Sequence, residues 1–492
     1  MRPRLEWPLH IVRRVAIVVL VVAVLAVTVP LTVHWVSEAR ARCGDGVVKL
    51  GDGECVGVTD GSWVFAHHLD LVEDRIRKEN AQVVKEAAEK KEPYVSVAYM
   101  TSLTVTDDDS NSAESVRHEL EGAYLAQYRH NRGDLASSPK IRLLLANTGS
   151  SSAHWEHTVD ELIRRKDSDD KLVAVTGLGP STERNLAALK KLAAAGIATV
   201  ASTMTATNIK NIPGFVRVAP DNTDEAYAAA TYLKNAGFHR AVIVEDVARR
   251  NLYARTLTAA FSKAFPDGKH QLVAESMTYD SSGKPGVWKT ELQNIPVNIC
   301  DKRPDVIFFA GRGQHLTTFL NRLANRSCTE QKFTVIAGDD TSNLSRVQIE
   351  RAAAKAVHVL YTGLAHRDMW KNAPDRVSER SARYFQKGEQ MDRWFPGDDR
   401  SDSQDIMAHD AVLTAAHGIE LASGGPEVTG EAVGRMFHQM DGQPVAGASG
   451  FLSFHNDGNP RDKAVPILSL NSQGRADLVD VTTPEDDQPD GD

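Results

Sequence analysis

Ser181 and Thr182 stand directly after Gly177, Gly179 and Pro180 and directly before Glu183. A hydroxyl at such a place caps a helix, and the free N–H groups and positive dipole end of that helix hold an anionic group. A plain capped turn would use the same residues, so this stretch alone does not decide between the two. The glycines do not match G-x-G-x-x-G, which argues against a dinucleotide site. His154 and His157 are three residues apart and His67 and His68 are adjacent. Neither pair is enough for a metal site, and no metal or cofactor is expected. Asp107, Asp108 and Asp109 form a charge run read as solvated. No G-x-S-x-G elbow is present, and Asp246 and Asp305, near strand ends, have no paired base. The chain is therefore expected to bind rather than catalyse, with an α/β hydrolase as the third-ranked alternative.

The elements that must position these residues follow from apolar patterning. Leu172, Val173, Ala174 and Val175 make one buried strand, and Leu186, Leu189 and Leu192 give the next helix one apolar stripe. Ser181 then sits at the carboxyl end of a strand, where small ligands bind in open α/β sheets. From residue 94 onward strands alternate with helices, which calls for parallel sheets. Strands are expected at 95–99, 141–146, 172–176, 199–201, 241–245, 306–310 and 334–337, with helices such as 115–131, 225–236 and 252–264 between them. Residues 450–454 and 464–470 read as a hairpin around Asn456, Asp457 and Gly458. Residues 69–91 read as a charged helix, either a stalk or a packing helix, ended by Pro93. Residues 483–492 read as a disordered acidic tail.

With 492 residues the chain has room for two or three domains. A net charge of −8 and the lack of a basic, aromatic-studded stretch argue against a nucleic-acid partner. Arg2, Arg4, Arg13 and Arg14 precede an apolar run over 15–33, close to the ~20 residues that span a bilayer. An uncleaved signal anchor over 15–36 is expected, with residues 1–14 cytoplasmic. This describes a single-pass cell-membrane protein with its C-terminal domain outside the cytoplasm. The four cysteines are even in number and lie in an oxidising compartment on that reading. Of three possible connectivities, local pairing of Cys43 with Cys55 and Cys300 with Cys328 is favoured. Residues 43–61 form a glycine-rich stapled module, and 67–92 lead to the main domain as a helical stalk.

The order of motifs carries a resemblance. VTGLGPSTERN is followed by GIATVASTMTAT, then by GFVRVAPDNTDEAYAAATYLKNAGFHRAVIVED. RPDVIFFAGRGQHLTTFLNRL, FTVIAGDDTSNLS, DIMAHDAVLTAAHGIELA and GASGFLSFHNDGNP come later. From about Tyr94 to about Val481 the chain resembles a type I periplasmic-binding protein, in the branched-chain amino-acid-binding branch of ABC-transporter receptors. That resemblance implies an α/β fold of two Rossmann-like lobes joined by three crossover strands. Lobe one would be 93–219 with 363–448, and lobe two 220–362 with 449–482.

It also implies site residues. Ser181 and Thr182 match the family's serine turn, which holds a ligand carboxylate. Thr203 and Thr205 match a segment that offers a carbonyl and a hydroxyl to the ligand's head group. Asp339 and Asp340 match an acid that pairs with the ligand's ammonium. Adjacent strand residues point to opposite sides, so one of the two is expected to face the cleft, and Asp339 is preferred. Arg250 and Arg312 stand where the amino-acid receptors carry aromatics, which suits an anionic ligand and puts a branched-chain amino acid in question. The expected function is a membrane-tethered solute-binding protein that closes on a small polar ligand for an ABC permease. The alternative is a sensor with the same domain that signals through a partner protein.

Overall fold

The computed structural model describes residues 13–14, 16–20, 22, 42–106, 109–343, 357–397, 400–425, 427–471 and 475–482. Its valine- and leucine-rich runs form the strands of two large sheets. The first has eight strands in the spatial order Arg42–Gly44, Val47–Lys49, Cys55–Thr59, Lys140–Asn147, Tyr94–Thr101, Leu172–Gly177, Ala198–Ala201 and Phe215–Arg217. The last five run parallel; the first three are antiparallel additions at one edge. In the second sheet Gln271–Leu272 and Met277–Tyr279 both lie parallel along the outer side of Arg240–Asp246. Val306–Ala310, Phe333–Ala337 and Val357–Thr362 continue in parallel, and Val465–Leu470 and Ala476–Thr482 close the sheet antiparallel. Every expected strand from 95–99 to 334–337 lies in or on one of these sheets.

Both sheets share one topological feature. The chain lays the second parallel strand on one side of the first and the third on the other side. In the first sheet Tyr94–Thr101 lies between Lys140–Asn147 and Leu172–Gly177. In the second sheet Arg240–Asp246 lies between its short outer strands and Val306–Ala310. The loops leaving neighbouring strands diverge there, and that divergence opens a crevice at the carboxyl ends of the strands.

After Thr362 the chain returns to the first body. Leu364, Ala365, Ile406, Val412, Ala415 and Ile419 are buried in the core that also holds Val97, Leu120 and Val200. The Gln404–Ala422 helix packs on the Ala113–Asn131 helix, and a Cβ at Gly122 would run into the carbonyl oxygen of Asp405. Arg400 Nε donates to Glu121 Oε2 at 2.8 Å in the same buried contact. Each fully buried Leu or Ile here contributes about 1.5–3 kcal/mol. Three crossings therefore join the bodies, after Arg217, after Thr362 and before Val465.

Four expectations need correction or completion. The stapled module is no separate unit: its three strands lengthen the first sheet past Lys140–Asn147 and cover an otherwise open edge. The Asp70–Lys90 helix packs and is not a free stalk: Leu69, Val72 and Ile76 lie in the first core, and Asn80 Nδ2 donates to the Leu143 carbonyl at 2.7 Å. The chain reverses at the expected turn, where Phe454 bridges Pro460 antiparallel, but residues 450–454 and 464–470 do not pair with each other. Phe451–Leu452 pairs with Val445–Ala446 instead. The Asn456-Asp457-Gly458 turn binds the first sheet's last strand, where Arg217 N donates to the Gly458 carbonyl at 3.0 Å. Leu452 and Phe454 still pack in the first core, so the third crossing follows, not precedes, the 449 boundary.

Cys43 is bonded to Cys55 and Cys300 to Cys328, with Cα atoms 6.0 and 5.8 Å apart. Most of the apolar run over 15–33 lies outside the described residues, as do residues 1–12 and 483–492. Among the described residues no helix is long and apolar enough to cross a membrane.

Candidate functional site

The crevice of the first lobe opens at the end of Leu172–Gly177. Leu178 and Gly179 turn the chain through φ of +71° and +66°. A Cβ at residue 179 would also approach the Asn185 side chain to 2.9 Å, so glycine suits both the angle and the space. Thr182 caps the Glu183–Ala194 helix, its side chain accepting from Asn185 N at 3.2 Å. Ser181 is buried, and its Oγ accepts from Thr205 N at 2.9 Å and Ala206 N at 3.0 Å. The hydroxyl thus ties the 181 turn to the 203–206 segment. The Thr205 carbonyl in turn accepts from Asn222 N at 2.6 Å, at the first crossing between the lobes.

The second lobe presents Arg312, which follows Val306–Ala310 and stands at the N-cap of the Gly313–Ala324 helix. The residue is 7% exposed, and its guanidinium lies over the Tyr253 ring, 4.9 Å from the centroid. Arg312 Nη1 donates to Asp340 Oδ1 at 3.2 Å and Nη2 to the Ser181 carbonyl at 2.9 Å, so one side chain joins both crevices. Asp340 Oδ2 also accepts from Gly313 N at 2.6 Å, a carboxylate at a helix start. Thr182 and Asn251 form an antiparallel bridge between the lobes, and Leu252 packs with the first-lobe core of Leu178 and Ala201.

Behind Arg312 lies an acidic pair. Glu225 Oε2 accepts from Thr362 Oγ1 at 2.6 Å and from Asp339 N at 3.2 Å. Burial, then the neighbouring Asp340 charge, pushes the Asp339 carboxyl up to about 7. Burial and the charge of Asp339 raise Glu225 well above the carboxylate range. Nearby His315 is pushed down to about 4 by burial, so it is neutral at neutral pH.

Of the residues singled out in the sequence, Ser181, Thr205, Arg312 and Asp339 belong to this one region. Thr182 borders it through its bridge to Asn251. Thr203 is half-buried in the adjoining segment. Arg250 is exposed on the turn before Asn251, and Asn251 is the buried residue of that turn. The strand argument for Asp339 over Asp340 does not apply, because the strand ends at Ala337 and both acids sit in the 3-10 turn Asp339–Asn343. Asp340 takes Arg312, and Asp339 turns toward Glu225. Glu225, Tyr253 and Asn251 were not singled out. The visible signal for Glu225 was its place in the first turn of a helix capped by Asp221.

The remaining polar residues have structural roles. Asp246 accepts from Ala248 N, Ser281 N, Ser281 Oγ and Asn251 Nδ2, and Asp305 accepts from His239 N and Arg240 N. His154 pairs with Asp52 at 2.5 Å and lies 3.8 Å from Glu54, residues of the stapled module. Those three are the one group among the described residues whose ligand atoms converge within 4.8 Å. Glu54 Oε1 is already taken by Ser150 N at 2.7 Å.

Residues 104–475 match the family described as periplasmic binding protein. No curated protein matches the sequence. Among solved structures, the chain is similar to the leucine-binding protein LivK of Thermotoga maritima, with 18% identity, 80% of this chain and 99% of that chain covered, and a TM-score of 0.62. It is similar to the branched-chain amino-acid-binding protein LivJ of Streptococcus pneumoniae, solved with isoleucine, at 16% identity, 80% and 100% coverage and a TM-score of 0.60. It is also similar to a solute-binding protein of R. palustris solved with 4-hydroxybenzoate, at 15% identity, 81% and 98% coverage and a TM-score of 0.61. These neighbours are solute-binding proteins, not enzymes, and at such identities the likeness is one of fold.

Proposed function

Because the chain belongs to the periplasmic binding protein family, we propose that it binds a small organic carboxylate between its two lobes and closes on it. The observation that carries this reading is the Arg312 fork. It reaches from the crevice of one sheet to the Ser181 carbonyl in the crevice of the other. Ser181, Thr182, Thr203 and Thr205 meet the ligand from the first lobe, Arg312 and Asp339 from the second, with Arg250 at the rim. Leucine, isoleucine and 4-hydroxybenzoate, the ligands of the similar proteins, all carry a carboxylate. A ligand carboxylate would take the place of the Ser181 carbonyl on the Arg312 guanidinium, a group suited to pairing with carboxylates. The arginines and apolar run at the N-terminus support a membrane tether, and an ABC permease is the partner that this class of receptor would serve.

Calorimetry against amino acids, aromatic acids and aliphatic acids, with small-angle scattering on each hit, tests the reading. A ligand that binds and reduces the radius of gyration is the expected result. Failure of every carboxylate to bind would overturn it.

A further inference from the structure

His154 has the partners for a metal that its neighbour His157 does not supply. They come from the turn between Val47–Lys49 and Cys55–Thr59, about a hundred residues earlier in the chain. Asp52 Oδ2 lies 2.5 Å and Glu54 Oε2 3.8 Å from His154 Nε2. Each acid spends its other oxygen elsewhere. Asp52 Oδ1 accepts from Glu54 N at 3.1 Å, and Glu54 Oε1 accepts from Ser150 N at 2.7 Å and from Thr104 Oγ1. The oxygens left over are the two that face His154 Nε2, and outer-shell bonds orient metal ligands in the same way. The two sides are fixed independently: the Cys43–Cys55 bond holds the turn, and His154 N donates to the Thr148 carbonyl at 2.9 Å. Glycine keeps the space between them open, because a Cβ at Gly149 would come within 2.9 Å of Glu54 Oε2 and 2.8 Å of His154 Cδ2. The charge also lacks a counterpart. Among the described residues His154 is the only ion-pair partner of Asp52 and of Glu54. Asp109 brings a further carboxylate to the same loop, accepting from Ser150 Oγ and Ser151 N at 2.6 Å each. One imidazole does not offset these carboxylates; a divalent cation does.

We propose that Asp52, Glu54 and His154 bind a transition-metal dication of the zinc class, which pins the disulfide-stapled turn to the loop after Lys140–Asn147. The donor set selects the metal. An imidazole ligand does not suit the all-oxygen shells of calcium and magnesium, whereas one nitrogen and two carboxylate oxygens suit zinc with water in the fourth place. Coordination uses the Nε2 lone pair, so the proton now between His154 and Asp52 leaves that nitrogen. Asp52 is exposed on its turn and draws back from 2.5 Å to the separation of about 3.3 Å that ligands keep around a tetrahedral zinc. The site lies at the stapled edge of the first sheet and is independent of Arg312 and of the ligand cleft.

The test uses the full-length protein, freed of metal with a chelator and titrated with zinc chloride alone. Calorimetry is expected to show about one site per chain with a dissociation constant in the micromolar range or below. The thermal midpoint should rise with zinc and fall back when the chelator is restored. Cobalt chloride in place of zinc is expected to give the visible absorption of a four-coordinate site, and calcium chloride to bind far more weakly. His154→Ala and Asp52→Asn should each weaken zinc binding by at least the about tenfold that loss of an outer-shell partner costs, and should remove the cobalt bands. Asp52 is exposed, so Asp52→Asn keeps the test open if His154→Ala folds poorly. His157→Ala is expected to leave binding unchanged. Zinc held as tightly by Asp52→Asn and His154→Ala as by the parent chain would place the metal elsewhere and overturn the proposal. No zinc binding at micromolar concentration, or binding of calcium in preference to zinc, would overturn it as well. None of these outcomes bears on closure of the lobes around a carboxylate.

Discussion

Arg312 Nη2 donates to the carbonyl oxygen of Ser181 at 2.9 Å, across the boundary between two sheets and 131 residues of chain. The same guanidinium holds Asp340, so the contact that joins the lobes also neutralises a buried acid. Arg312→Ala is expected to cost about 3–5 kcal/mol of unfolding free energy, because it removes the guanidinium partner of the buried Asp340 carboxylate. It should also enlarge the scattering radius of the free protein. Arg312→Lys keeps the charge but not the fork, and is expected to fall between the two in both measurements. An unchanged radius in Arg312→Ala would show that Leu252 and the Thr182–Asn251 bridge suffice to hold the lobes together.

Ser181→Ala tests a different role from the ligand hydroxyl expected in the sequence. Ser181 Oγ accepts two backbone N–H groups, from Thr205 and Ala206. Alanine would leave both donors buried and unpaired. The expected loss of stability is about 2–6 kcal/mol, at about 1–3 kcal/mol for each orphaned group. Chemical denaturation reads it without any ligand; a loss below about 0.5 kcal/mol would mean that the 203–206 segment finds other acceptors.

The strands and the serine turn were legible because they depend on local pattern: apolar runs such as Leu172 to Val175, broken by glycine and followed by a capped helix. The disulfides were legible because compartment and spacing limit the choices. The acid pair was not. Glu225 and Asp339 lie 114 residues apart and meet through a crossing between lobes, which no local period encodes. The strand-alternation argument for Asp339 over Asp340 failed for a smaller reason: the strand ends at Ala337, and a 3-10 turn replaces strand alternation with a different angular step. The edge strands of the stapled module were hidden by their length, three residues each in Arg42–Gly44 and Val47–Lys49.

The Cys300–Cys328 bond closes a loop of 28 residues between the Pro285–Lys302 helix and the segment after Gly313–Ala324. In the chain-entropy account its removal costs about 3–4 kcal/mol. The double variant Cys300→Ser with Cys328→Ser is therefore expected to lose hydrogen-exchange protection in the second sheet first. Uniform loss across both lobes would indicate that they unfold as one unit.

Glu119 offers a pH-linked prediction away from the cleft. It is fully enclosed in the first lobe, with Tyr99 Oη donating to Oε2 at 2.8 Å and Asn111 Nδ2 to Oε1 at 2.7 Å. Burial nevertheless pushes its carboxyl up to about 7. A group raised in the folded state contributes its stability below the unfolded pKa and loses it as pH rises through the folded one. Between about pH 4.5 and about pH 7 the unfolded chain ionises at Glu119 while the folded chain does not, so stability falls as pH rises. Each unit of pKa difference is worth about 1.4 kcal/mol, which makes the loss on the order of 3 kcal/mol. Glu119→Gln has no such proton to lose. Its amide keeps an acceptor for Tyr99 but turns a donor toward Asn111, so the variant is expected to be less stable than the parent near pH 5. The gap should then narrow by about 2–3 kcal/mol near pH 7.5 in urea unfolding. A constant gap at both pH values would mean that Glu119 is ionised in the folded protein and that the Tyr99 and Asn111 donors outweigh burial.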